Sequence, residues 1–150
     1  MKSPYRPKTL NEVGRRILEG GDPGYEIKDF LHEFKDSPNI QMLLAPPPNL
    51  EGSVSDGKRC SAFLQALAVH LATRLDCDPP NWTKPQIQLS DPWFASPGTA
   101  LRNYLLISSP APFRSRNLFI DEDSLEWLKM SRSQLAPSVD YELSRLKLHA

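Results

Sequence analysis

At 150 residues, with 39% hydrophobic and 24% charged side chains, the chain has the length of one domain and the composition of a soluble globular protein rather than of a disordered tail. Eighteen basic residues against eighteen acidic ones exclude the basic footprint of a general nucleic-acid binder, so strong intrinsic DNA binding is not expected. Apolar runs such as Ala66 to Val69 fall far short of the roughly 20 residues a bilayer span needs, and the charged start Met1-Lys2-Ser3-Pro4 has no apolar run behind it to form a secretory signal, so a cytoplasmic protein without membrane contact is the expectation.

The first periodic segment places Leu10, Val13, Gly14, Ile17 and Leu18 on one helical face. Thr9 is its N-cap, Glu12 the capping-box partner, and Gly20-Gly21 the stop. Asp22-Pro23 opens a second helix with Ile27, Phe30, Leu31 and Phe34 on its apolar face, and the short connection predicts an antiparallel hairpin. Residues 45–57, with Pro46-Pro47-Pro48 at their head, read as a linker. The strongest helix follows, from about Asp56 to Leu75, with Phe63, Leu64, Leu67, Ala68, Leu71 and Leu75 on one face. A proline-interrupted stretch runs to Asp91-Pro92-Trp93-Phe94, in which residues 86–89 alternate weakly as a short strand does. A fourth helix spans Thr99 to Ser108, carrying Leu101, Tyr104, Leu105 and Ile107, and Ser109-Pro110-Ala111-Pro112 ends it. After a loop from Phe113 to Asn117, a fifth helix begins near Asp121 and buries Leu125, Trp127 and Leu128; a last one covers Ser138 to about Leu148.

Fifteen prolines against seven glycines punctuate these segments, because proline cannot continue a helix and restrains the residue before it. The fold expected is all-α: five or six helices around the central one, with long proline-rich connections and room for one short β-hairpin. It reads as a single helical domain over 1–150. A subdivision into a 1–44 hairpin and a 58–150 main part, joined by the 45–57 linker, stays open.

Residue types that carry chemistry are sparse. Neither a GxGxxG nor a GxxxxGK[ST] glycine loop is present to cradle phosphates. His32, His70 and His149 have no second His or Cys at metal-ligand spacing, and Cys60 and Cys77 read as free thiols. No metal or cofactor is expected. The carboxylates concentrate at helix ends, where capping accounts for them. The candidate contacts are therefore for a partner. Trp82, Trp93 and Phe94 lie in proline-flanked loops, where a large aromatic either staples the loop to the core or marks a binding surface. Arg102, Arg114 and Arg116 occupy a segment without acids; their guanidinium forks suit carboxylates or phosphate, or else pair with the acidic turn at Asp121 to Asp123. Val139, Leu143 and Leu146 form a narrow stripe that suits a partner or a second copy, which leaves homo-oligomerisation open.

The order Pro80-x-Trp82-Thr83, Asp91-Pro92-Trp93-Phe94 before a short helix, then Ser109-Pro110-Ala111-Pro112-Phe113-Arg114-x-Arg116-Asn117-Leu118-Phe119-Ile120 and a helix with Leu125 resembles a set of small bacterial proteins encoded beside nucleotidyltransferase-like toxins and read as their antitoxins. The resemblance covers residues 60–128, extends to 9–36 and leaves Leu135 onward unmatched. It implies a non-enzymatic, bacterial, cytoplasmic protein that binds and neutralises a cognate toxin, with no catalytic residues to carry over. Beside it stand a transcriptional regulator or other helical interaction module, and a small hydrolase or transferase. A regulator needs a recognition helix with exposed Arg, Lys, Asn or Gln, and none is evident; an enzyme needs a pocket that unites Cys60 or a serine with His70.

Overall fold

A computed structural model describes residues 5–95, 99–121 and 125. Among them the chain is mostly helical, with six helices: α1 (Leu10–Leu18), α2 (Pro23–Asp36), α3 (Gln41–Leu44), α4 (Gly57–Arg74), α5 (Thr99–Ser108) and α6 (Ala111–Arg114). The strands β1 (Trp93–Phe94) and β2 (Leu118–Phe119) form a two-stranded sheet.

The start of α1 follows its capping signal with one change. Thr9 accepts from the Glu12 N–H, but the Glu12 carboxylate turns outward by one residue and accepts from the Lys8 N–H at 3.0 Å. Asp22 caps α2 by accepting from the Tyr25 N–H at 2.9 Å, with Pro23 in the first turn. The hairpin buries Leu10, Val13, Ile17, Phe30, Leu31 and Phe34, each side chain contributing about 1.5–3 kcal/mol of transfer free energy. α4 supplies twelve buried residues of its eighteen, because Ala62, Ala66, Ala68 and Ala72 let neighbours approach between its leucines. One cluster of buried residues draws on α1, α2, α3, α4, α6 and β2 and reaches Leu125.

The proline segment packs closely between α1 and α4. Pro47 and Pro48 lie where a side chain on Gly14 would stand, 2.7 and 2.9 Å from an added Cβ. Leu50 is fully buried, its N–H donates to the Ser61 hydroxyl at 3.1 Å, and its carbonyl occupies the space a Cβ on Gly57 would need.

Three expectations change. The strand pair is parallel and not a hairpin, with Trp93 beside Leu118 and Phe94 beside Phe119; α5 lies between the strands in sequence, and a chain that crosses back through a helix returns in the same direction. Residues 86–89 form no strand, although the Leu89 N–H donates to the Arg116 carbonyl at 3.2 Å. The loop expected from Phe113 begins instead inside α6, where proline occupies the first turn, the position at which its missing N–H costs nothing. Of the apolar residues of α5, Leu105 is buried while Leu101, Tyr104 and Ile107 are exposed. The helices expected beyond Asp121, with Trp127 and Leu128, and the stripe Val139, Leu143 and Leu146, lie outside the described residues, apart from Leu125, which is buried.

Candidate functional site: an apolar groove with a basic rim

A cavity of about 950 Å³ opens between α2 and the start of α4. Helical spacing builds its first wall: Ile27 and Leu31, one turn apart, face it, and Lys28, His32 and Lys35 recur beside them at i, i+4 and i+7. Arg59, Cys60 and Phe63 of α4 form the opposite wall, with Ile120 and Leu125 below them. Trp93 closes one side because β1 pairs with β2 and turns the indole toward α4. There the Arg59 guanidinium sits 5.3 Å from the Trp93 ring centroid, and Phe63 meets the indole edge-on at 6.3 Å. Phe63 is held in turn by Phe113, edge-to-face at 5.1 Å.

The charged groups around the groove divide by engagement. Asp22 accepts from the Tyr25 N–H, and Asp56 binds Arg59 at 2.8 Å. Lys28 and Lys35 have no ion-pair partner among the described residues. Burial pushes the Cys60 thiol up; the charge of Arg59 opposes that shift and Asp56 reinforces it. A thiol so placed is held protonated, the reverse of the lowered value that makes a cysteine nucleophilic. His70, ten residues along α4, packs edge-on against Phe113 at 6.0 Å and does not line the groove. The groove therefore offers contact area and charge.

The expected partner-binding residues scatter. Trp93 alone lines the groove. Trp82 staples its loop to the hairpin side, its indole N–H donating to the Leu43 carbonyl at 2.8 Å. Phe94 stacks on Phe119 at 5.0 Å and Arg102 lies over Phe94 at 4.9 Å. Arg114 is exposed and donates to the Ile107 carbonyl at 3.1 Å.

Arg116 requires a correction. The sequence places it on a surface loop, but it is 3% exposed and its guanidinium is held by amide and carbonyl oxygens. Its guanidinium donates to Gln65 Oε1 (3.2 Å), the Pro112 carbonyl (2.8 Å) and the Thr83 carbonyl (3.4 Å). Burial pulls its pKa below the usual arginine value.

The apolar face predicted for α2 holds, with Leu31 buried and Ile27 half-buried against the core, but the rim beside it is not among the sequence's candidate contacts. The signal was the basic row Lys28, His32 and Lys35 running beside an apolar row at the same spacing. Among the described residues no helix is long and apolar enough to cross a membrane, and no group of three or more His, Cys, Asp or Glu residues is placed to hold a metal. The chain matches no protein-family model, no curated protein and no solved structure.

Proposed function

We propose that this chain is a helical bundle centred on α4 that acts in the bacterial cytoplasm as a non-enzymatic, antitoxin-like protein, neutralising a nucleotidyltransferase-type toxin by direct contact. The observation that carries the binding part of this reading is the groove: half-buried Ile27, Phe63 and Trp93 form an open apolar surface beside Lys28 and Lys35, which have no ion-pair partner among the described residues, and the Cys60 thiol that lines it is pushed up by burial. Apolar area with an aromatic anchor and a charged rim is the composition of a protein-binding patch. The toxin class rests on the resemblance of residues 60–128 to the antitoxin-like set.

Co-expression with the product of the adjacent gene tests the reading. The expected result is restored growth where that product alone arrests it, together with a complex of the purified proteins at a dissociation constant of about 1 μM or tighter. Arrest that persists at equal expression, with no complex at tens of micromolar, would overturn it.

A further inference from the structure

Resting on that reading of a protein partner, we infer that the groove receives one amphipathic helix of the partner, with carboxylates along the flank that faces α2. The dimensions fit. α2 runs from Pro23 to Asp36, and groove-lining residues recur along it from Gly24 to Lys35, about 16 Å of helix or three turns. The floor is a continuous apolar strip between Ile27 and Leu31 on one wall and Phe63 and Trp93 on the other. A helix laid into such a strip inserts side chains at i, i+4 and i+7.

Charge selects the occupant. Of the acids among the described lining residues, Asp56 is paired by Arg59, and Asp22, which accepts from the Tyr25 N–H and keeps its charge, stands at the N-terminal end of α2, six residues before Lys28. Lys28 and Lys35 stand seven residues apart on one side of α2, with His32 between them, so carboxylates at i and i+7 of an incoming helix meet both ammonium groups. The exposed apolar residues of this chain's own α5, Leu101, Tyr104, Leu106 and Ile107, are accompanied by Arg102 and no acid. A second copy presenting that helix would bring a further positive charge to a positive rim, which disfavours self-association through it.

The test uses the full chain and three labelled peptides, read by fluorescence anisotropy. Two are host helices of about 14 residues with Leu at i, i+4 and i+7 and a flank of either Glu or Lys; the third is this chain's own segment 138–150. The expected result is micromolar binding of the Glu-flanked helix, about tenfold weaker binding of the Lys-flanked one, and inversion of that order in the Lys28→Glu/Lys35→Glu variant at an unchanged melting temperature. Equal affinity for the two flanks, no binding of either at 100 μM, or tighter binding of segment 138–150 than of the Glu helix would each overturn the proposal. A dimer of the free chain that the double variant dissolves would overturn it too, by placing a second copy in the groove. Failure here is separable from failure of the toxin reading: rescued growth with an indifferent groove sinks only the helix, whereas a working groove without rescue sinks only the toxin.

Discussion

Side-chain ion pairs lace the α1–α2 hairpin and the segment leading into it, whereas in the proline-punctuated stretch from Asn81 to Ile120 the side-chain bonds among the described residues run mainly to the backbone. The hairpin carries Arg6 with Asp36, Lys8 with Glu33, and Arg16 with both Glu12 and Glu26. In the second region Gln65 of α4 accepts from the Ile87 N–H and donates to the Pro85 carbonyl, Gln86 donates to the Ser115 carbonyl, and Asn117 donates to the Leu89 carbonyl. Arg116 adds two more such bonds, to the Pro112 and Thr83 carbonyls, and a third to the Gln65 side chain. The cause is how backbone groups are satisfied. A regular helix pairs its own N–H and C=O groups and leaves side chains free for each other; a chain broken by prolines has too few N–H donors for its carbonyls, and buried carbonyls must find side-chain donors.

The largest effect expected from this difference is at Arg116. Arg116→Ala leaves a cavity and deprives Gln65, Pro112 and Thr83 of a donor, so we expect a loss of about 3 kcal/mol in urea unfolding. Arg6→Ala in the hairpin should cost less than about 0.5 kcal/mol, since its partner Asp36 is solvent-exposed. Similar losses for the two would erase the distinction between the regions.

Glycines sharpen the comparison where the proline segment crosses the hairpin. Gly14→Ala raises helix propensity by about 1 kcal/mol, yet the new methyl meets Pro47 and Pro48 inside 3 Å. We expect the crowding to win, with a net loss of about 1–2 kcal/mol. Gly24→Ala, on the outer side of the hairpin, meets nothing nearer than the Asp22 carboxylate at 3.5 Å and should be neutral or slightly stabilising. A stabilising Gly14→Ala would mean that the prolines yield, and that residues 45–57 behave as a loose connection.

These differences also explain what the sequence makes legible. α1, α2, α4 and α5 follow from 3.6-residue periodicity and from end signals that act locally: the Thr9 and Asp22 caps, the glycine pair after Glu19, the prolines after Ser108. The burial of Arg116 has no local signal. It depends on α4 bringing Gln65 alongside, 51 residues away in sequence, and an arginine in a short polar segment reads as surface until that pairing is known. The parallel strand pair was missed for the same reason, since its partners are 25 residues apart and two residues long. In the groove, Trp93 is legible as a loop aromatic and Leu31 is buried as its place on the apolar face predicts, while Ile27 on the same face stays half-buried, because periodicity identifies an apolar face without saying how completely it is covered.

Trp82 gives a smaller effect of the backbone-bonding kind. Trp82→Phe keeps most of the apolar contact but removes the indole N–H from the Leu43 carbonyl. We expect a loss of about 1 kcal/mol by thermal melting. No change in stability would show that water replaces the donor there, and that the staple works through its ring alone.

The smallest expected effect is the pH dependence of the hairpin, and its sign follows from Glu12. Burial alone pushes this carboxyl up, but the Lys8 N–H at 3.0 Å, the Arg16 guanidinium at 2.9 Å and the charges of Arg16 and Arg15 together outweigh burial and hold it below its ordinary value of 4.5. A carboxyl that ionises more readily in the fold than in the unfolded chain stabilises the fold in its charged form. That contribution is complete above the unfolded value and disappears as pH falls through the lowered one. Glu12→Gln retains an oxygen to accept from Lys8 but not the charge, so the wild-type chain should be the more stable at pH 7 by a small margin that closes as the pH is lowered through 4.5 and below. Urea midpoints of the two proteins, measured in parallel across that range, cancel the titration of every other carboxylate they share. A margin that stays constant into acid would assign the role of Glu12 to its geometry instead of its charge. The same titration of Arg116→Gln should show no such convergence, because the oxygens that hold its guanidinium, those of the Gln65 amide and the Pro112 and Thr83 carbonyls, are neutral.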